Sequence, residues 1–340
     1  MLARYVVAAA LVVLPIRLPK KHGPEVLKLA KDVTIGDIEG TVQHMAADVK
    51  GNRIFLAATG NNTIEIFDPQ TLQHLGSILG LSQPQDLVFL PESEHLLVSN
   101  AADGTLRTYD TKTLKLIDTK PMGGDANRVR VIADGKYVVV GWGVGGLAIL
   151  DTESGRRSDV QLKSHPEAFQ IDSSGNRMFV NLPGVGEVAV VDRRSGTVTE
   201  SWPIRQHENV AMALDEADKR LFVVCHRPSK LLVVNTEDGA ITASLATVGD
   251  ADDVFYDQKR KRVYVIGGEG QIAVYKRGEG PEEYIALGRT DTVEEARNGL
   301  FVPEWNRIFV VARNRTPGFP MELLSFTILE EGAEPAAHSK

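Results

Sequence analysis

Residues 51–68 read GNRIFLAATGNNTIEIFD. A Gly-Asn turn opens the stretch, an apolar run follows, a second turn GNN reverses the chain, and a strand closes on Asp68. The same grammar recurs along the chain. The turn and its apolar run return as SEHLLVS (93–99), DGKYVVV (134–140), GNRMFVN (175–181), DKRLFVV (218–224), KRVYVI (261–266) and WNRIFVV (305–311), which makes seven copies. The strand after each ends at Asp68, Asp110, Asp151, Asp192, Asn235 and Lys276, positions 42, 41, 41, 43 and 41 residues apart, with LLSFTI (323–328) as a degenerate seventh. Runs of four to six residues rich in Val, Ile, Leu, Phe and Tyr between Gly, Asp and Asn turns are strands, not helices. A unit of about four strands cannot bury both faces of its own sheet. Neighbours must therefore stack on it, and the radial solution is a β-propeller. Seven units give an all-β, seven-bladed propeller of four-stranded antiparallel blades.

The ends of the chain predict how the ring closes. The seventh unit stops at its third strand, whereas Glu25–Ile35 (EVLKLAKDVTI), ahead of the first unit, resembles the fourth strands at 72–81 and 241–249. It is expected to supply the outer strand of the last blade and leave no open sheet edge there. Residues 1–22 read as an export signal and lead-in: Arg4, then the apolar run Tyr5–Ile16, then Arg17, Lys20 and Lys21, with no acid. Twelve apolar residues rise only ~18 Å as a helix, too short to span a bilayer core of ~30 Å, so no transmembrane anchor is expected beyond an uncleaved signal. The predicted organisation is signal and lead-in 1–22, one propeller 23–330, and a polar tail 331–340. The expected location is periplasmic or extracellular.

Across 340 residues, 38 Lys and Arg stand against 45 Asp and Glu, a formal charge of −7. That acidity argues against a nucleic-acid partner, because phosphate binding needs a basic face. A lone Cys225 excludes internal disulfides and paired-cysteine zinc sites. A monomer is expected.

The repeat resembles the YVTN-type (YncE-like) β-propeller family. The resemblance covers about 25–330 and rests on HMAADVKGNRIFLAATGNNTIEIFD (44–68), SHPEAFQIDSSGNRMFVN (164–181), GDADDVFYDQKRKRVYVIGGEGQIAVY (249–275) and GLFVPEWNRIFVV (299–311). It implies a seven-bladed, exported propeller and carries little about activity. The Gly-His and Trp-Asp marks of WD40 repeats are absent.

Alignment on the second strands brings polar residues together where the first strand of each blade enters the channel. These are Gln43 and His44, Gln85 and Asp86, Asp125 and Asn127, Glu167, Glu208 and Asn209, Asp252 and Asp253, and Arg297 and Asn298. The loops between second and third strands add Asn61, Trp142, Arg227, Glu269 and Arg313 to the same face. This concentration predicts a polar funnel that binds a small ligand or a protein partner, without catalysis. No cofactor is predicted. A divalent cation is the alternative, with His165, His207 and Glu167 as candidate ligands; a metal-assisted, lactonase-like hydrolase would use the same funnel. A structural cell-envelope protein is a second alternative. Enzyme motifs are missing: there is no G-x-S-x-G, no H-E-x-x-H and no phosphate loop. Cys225-His226 is read as packing, since adjacent strand residues point apart.

Overall fold

The computed structural model describes residues 25–36, 38, 40–133, 135–280, 282–312 and 321–330. Seven antiparallel sheets of four strands follow one another in chain order. The first, channel-side strands are Met45–Asp48, Pro84–Leu90, Ala126–Ile132, Phe169–Ile171, His207–Asp215, Asp253–Asp257 and Ala296–Val302 in blades 1 to 7. Blade 7 continues through Arg307–Ala312 and Met321–Ile328, and its outer strand is Leu27–Ile35, which pairs antiparallel with Met321–Ile328. The predicted closure is thus observed. Leu329 N also donates to Val26 O at 2.9 Å, tying the two ends of the ring. The signal at 1–22, Arg313 and the tail at 331–340 lie outside the described residues.

The second strands explain why the repeat is legible. Arg53–Ala58, Arg177–Leu182 and Arg307–Ala312 are buried at every position after the arginine. A strand covered by neighbouring blades on both faces reads as a continuous apolar run, not an alternating one. The core is accordingly divided into clusters between blades: Phe222 and Val224 of blade 5 pack with Val263 and Val265 of blade 6, and Ile266 and Ile272 of blade 6 pack with Ile308 and Val310 of blade 7. Each such side chain contributes ~1.5–3 kcal/mol.

The polar letters of the repeat have local tasks. Asn52, Lys219, Lys261 and Asn306 take φ of 53°, 55°, 54° and 55° in the turn before the second strand. In blades 1 to 4 the Asp at the end of the third strand folds the next turn over its carboxylate. Asp68 Oδ1 accepts from Gln70 N and Thr71 N, and Asp110 Oδ1 from Lys112 N and Thr113 N. Arg53 clamps blades together, pairing with Asp48 at 2.6 Å and donating to Thr111 O of blade 2 at 2.6 Å.

Candidate functional site

The pairing register arranges the channel residues in rows. In every blade the fourth residue of the second strand pairs with one first-strand residue: Met45, Leu87, Val129, Phe169, Met212, Val254 and Gly299. The residue before each forms an inner row: His44, Asp86, Arg128, Ala168, Ala211, Asp253 and Asn298, all buried. One step further out lies a half-buried mouth row: Gln43, Gln85, Asn127, Glu167, Val210, Asp252 and Arg297. Six of these seven are polar. The outermost row holds Gln83, Asp125, Glu208, Asp250 and Glu295, each a non-glycine residue in the left-handed region, with φ of 54°, 57°, 59°, 51° and 66°. Backbone in that region costs energy, and here it is repeated in five blades at the mouth.

The inner row is bridged across the channel. His44 Nδ1 of blade 1 lies 3.3 Å from Asp253 Oδ2 of blade 6, passing over blade 7. Arg128 reaches from blade 3 to the same carboxylate, with Nη2 3.6 Å from Asp253 Oδ1 and 3.4 Å from Asp252 O. Asp86 pairs with Arg130 Nη1 at 2.9 Å. Asp86 and Asp253 occupy equivalent positions and also tie blades together: Asp86 Oδ2 accepts from Val129 N of blade 3, and Asp253 Oδ2 from Gly299 N of blade 7. Burial pushes the Asp86 carboxyl up, but Arg130, His44, Arg128 and the Val129 amide outweigh it and hold it below the usual carboxylate range. Asp253 is lowered in the same way, with burial outweighed by His44, Arg128 and the Gly299 amide.

At the mouth the structure gathers charges over blades 5 to 7. Arg297 pairs with Asp250 at 2.6 Å and with Asp252 at 2.7 Å. His226 lies between Asp252, at 3.9 Å, and Glu208, at 3.6 Å, and exposed Arg227 reaches Glu208 at 3.3 Å. Other predicted residues turn elsewhere. Asn209 is fully buried between blades 4 and 5, donating to Asn181 Oδ1 and Glu187 O. Trp142 stacks under the Arg157 guanidinium at the outer side of blade 3. Asn61 lines a groove beside the closing strand, and Glu269 accepts from Gly249 N.

The three candidate metal ligands do not converge. His165 Nδ1 bonds Gly143 O at 2.6 Å, and its Nε2 faces Asn127, whereas His207 is exposed. No group of three His, Cys, Asp or Glu side chains that could hold a metal occurs among the described residues. Cys225 is fully buried and its thiol is pushed up to about 12 by that burial, while His226 on the next residue points to Ala251 O. The two do not form a nucleophile pair.

No protein-family profile matches the chain, and no curated protein does. Among solved structures it is similar to a chain of Kuenenia stuttgartiensis hydrazine synthase, with a TM-score of 0.72 and 17% identity over 89% of this chain and 98% of that one. A chain of a mitotic checkpoint complex superposes with a TM-score of 0.74 and 10% identity over 97% of this chain and all of that one. What they share is the propeller.

Two functional candidates escaped the sequence reading, Arg128 and Arg130. With Gln170, Asp253, Tyr256 and Phe301 they help line a cavity of about 220 Å³ in the channel. A second cavity of about 660 Å³ shares Gln170, Leu214 and Tyr256 with the first and is bounded by Ser173, Glu216 and Gln258. Those three sit at the turns joining first to second strands, on the face opposite the mouth. A spacing signal for the arginines existed: Arg128 stands one residue inside Asn127, in the register of Asp86 and Asp253, and Arg130 follows at the strand period of two.

Proposed function

We propose that this propeller is an exported binding protein of the YVTN type that holds a small ligand or a protein partner at its central channel, without catalysis. One observation carries the reading: the inner row is not repeated around the ring. Five blades place His44, Asp86, Arg128, Asp253 and Asn298 there, and blades 4 and 5 place Ala168 and Ala211. Blade packing alone would be served by seven small or apolar residues, since burying charge is costly. An asymmetric ring of charge with one small-residue side has the form of a recognition site. Export follows from the apolar leader in the sequence and sets the partner outside the cytoplasm.

The test is native mass spectrometry of the protein purified from its own source, with a pull-down by the same preparation. A bound molecule or one stoichiometric partner is expected. Glu167→Ala and Arg297→Ala at the mouth, or Asp253→Asn inside, should weaken capture while the fold, followed by circular dichroism, is retained. Capture that none of these substitutions changes would place recognition away from the channel.

A further inference from the structure

We infer that the inner channel cavity is a site for a small organic carboxylate, anchored on Arg128 and reached from the face opposite the mouth. The inference rests on the channel-binding reading above and names the chemical class that the channel takes. A guanidinium carries five N–H donors in a planar fork. Among the described residues Arg128 makes one hydrogen bond, at 3.4 Å, and one ion pair, at 3.6 Å. Both are longer than the ~2.7–2.9 Å of a well-made charge-assisted bond. Yet the residue is only 7% exposed. A buried guanidinium so loosely held lines a cavity with donors to spare. Arg130, by contrast, is engaged through Nη1 by Asp86 Oδ2 at 2.9 Å and Val129 O at 2.7 Å.

Arg130 is neutralised by Asp86 behind the wall, so the donors left facing the cavity are those of Arg128. A carboxylate matches that guanidinium fork in plane and spacing. The remaining wall sets the size and character of the rest of the ligand. Phe255 and Phe301, with ring centroids 6.4 Å apart, and the small Ala168 and Ala213 leave an apolar pocket. The volume displaces about seven waters at ~30 Å³ each, which suits a carboxylate bearing one small ring or a short chain. Access follows from the bridging of the mouth side. His44, Asp253 and Arg128 span the channel above the cavity, whereas the walls shared through Gln170, Leu214 and Tyr256 continue toward Ser173 and Gln258.

Benzoate and its neutral isostere benzamide are the probes, titrated into the full chain and followed by amide shifts in NMR and by calorimetry. Benzoate should bind at least tenfold more tightly than benzamide, with the largest shifts at Arg128, Gln170 and Tyr256. Arg128→Met should weaken benzoate at least tenfold. Ala213→Leu, which fills the cavity and leaves every charge in place, should do the same and keeps the test open if Arg128→Met misfolds. Lys50→Ala, in an exposed turn of blade 1 outside both cavities, should change nothing. Equal affinity for benzoate and benzamide, no binding of benzoate, or binding that Ala213→Leu spares would each overturn the inner carboxylate site. The broader channel reading would survive those outcomes if native mass spectrometry still found a ligand sensitive to Asp253→Asn.

Discussion

Asp86 shows how a single residue serves two tasks in this fold. Its Oδ2 stitches blade 2 to blade 3 through Val129 N and also balances Arg130. Because its folded pKa is lowered, the ionised form stabilises the native state above the ordinary aspartate value of about 3.9. That contribution is lost as pH falls from there through the lower folded value. Asp253 acts in the same direction. In urea melts from pH 7 to pH 2, the wild type should lose stability most steeply below about pH 4. Asp86→Asn should start ~2 kcal/mol lower at pH 7, the scale of a hydrogen bond to a charged group, and should fall less steeply through that window. An acid limb that superimposes on the wild type would show that this carboxylate carries no pH linkage. The turn carboxylates Asp68, Asp110, Asp151 and Asp192 are lowered too, led in each by the amide of the turn that follows. They are solvent-facing, and they explain why the repeat ends in Asp without adding to the site.

At the scale of the element, the closing strand Leu27–Ile35 divides sharply between its two ends and its middle. Val26 and Leu27 are 2% and 1% exposed, packed in the cluster between blades 6 and 7, while Leu29 is 47% exposed. Leu27→Ala should therefore cost ~2–5 kcal/mol, as for a buried leucine truncated to a cavity. Leu29→Ala, two residues on, should stay within ~0.5 kcal/mol. Equal urea midpoints for the two variants would mean that the strand does not seal the ring. This strand was legible in the sequence because its apolar pattern matches other fourth strands and because the seventh unit lacked one. The first strands were less legible, for a geometric reason. Their pairing with the second strands slips between Pro84 and Leu87, Ala126 and Val129, Asn209 and Ala211, and Ala296 and Asn298. A slip of one residue exchanges the two faces of a strand. Sequence spacing thus selected Asn127 and passed over Arg128, and it selected Asn209, which the bulge turns into the seam between blades 4 and 5. The second strands carry no such slip against the third strands of their blades, and all seven were readable from their apolar runs.

For the molecule as a whole, the decisive feature is that one blade is assembled from both ends of the described chain. Blade 7 takes three strands from 296–328 and one from 27–35, so no blade can be lost from the end of the chain without opening the ring. Apart from the bridges that His44 and Arg128 make to Asp253 across the channel, the described blades pack against their neighbours, and in an open array of such units stability becomes a sum of local terms. Closure converts that array into one cooperative body. The chain ends that matter are adjacent, since Leu329 N bonds Val26 O, and circular permutation is tolerated where ends meet and the new break falls in an exposed loop. Joining Glu330 to Glu25 through a short Gly-Ser linker and reopening the chain between Gly278 and Gly280 moves the seam to blade 6. That blade would then be closed by Tyr284–Asp291 arriving first and Gln271–Arg277 arriving last, the same division of three strands and one. The permutant should melt in a single transition within about 5 °C of the parent. A chain starting at Gly36, without the closing strand, should lose that single transition and expose the Met321–Ile328 edge to association. Calorimetry of the two proteins side by side decides the matter: two separate transitions in the permutant, or an unchanged melt in the truncated chain, would mean that cooperativity resides within blades and not in the closed ring.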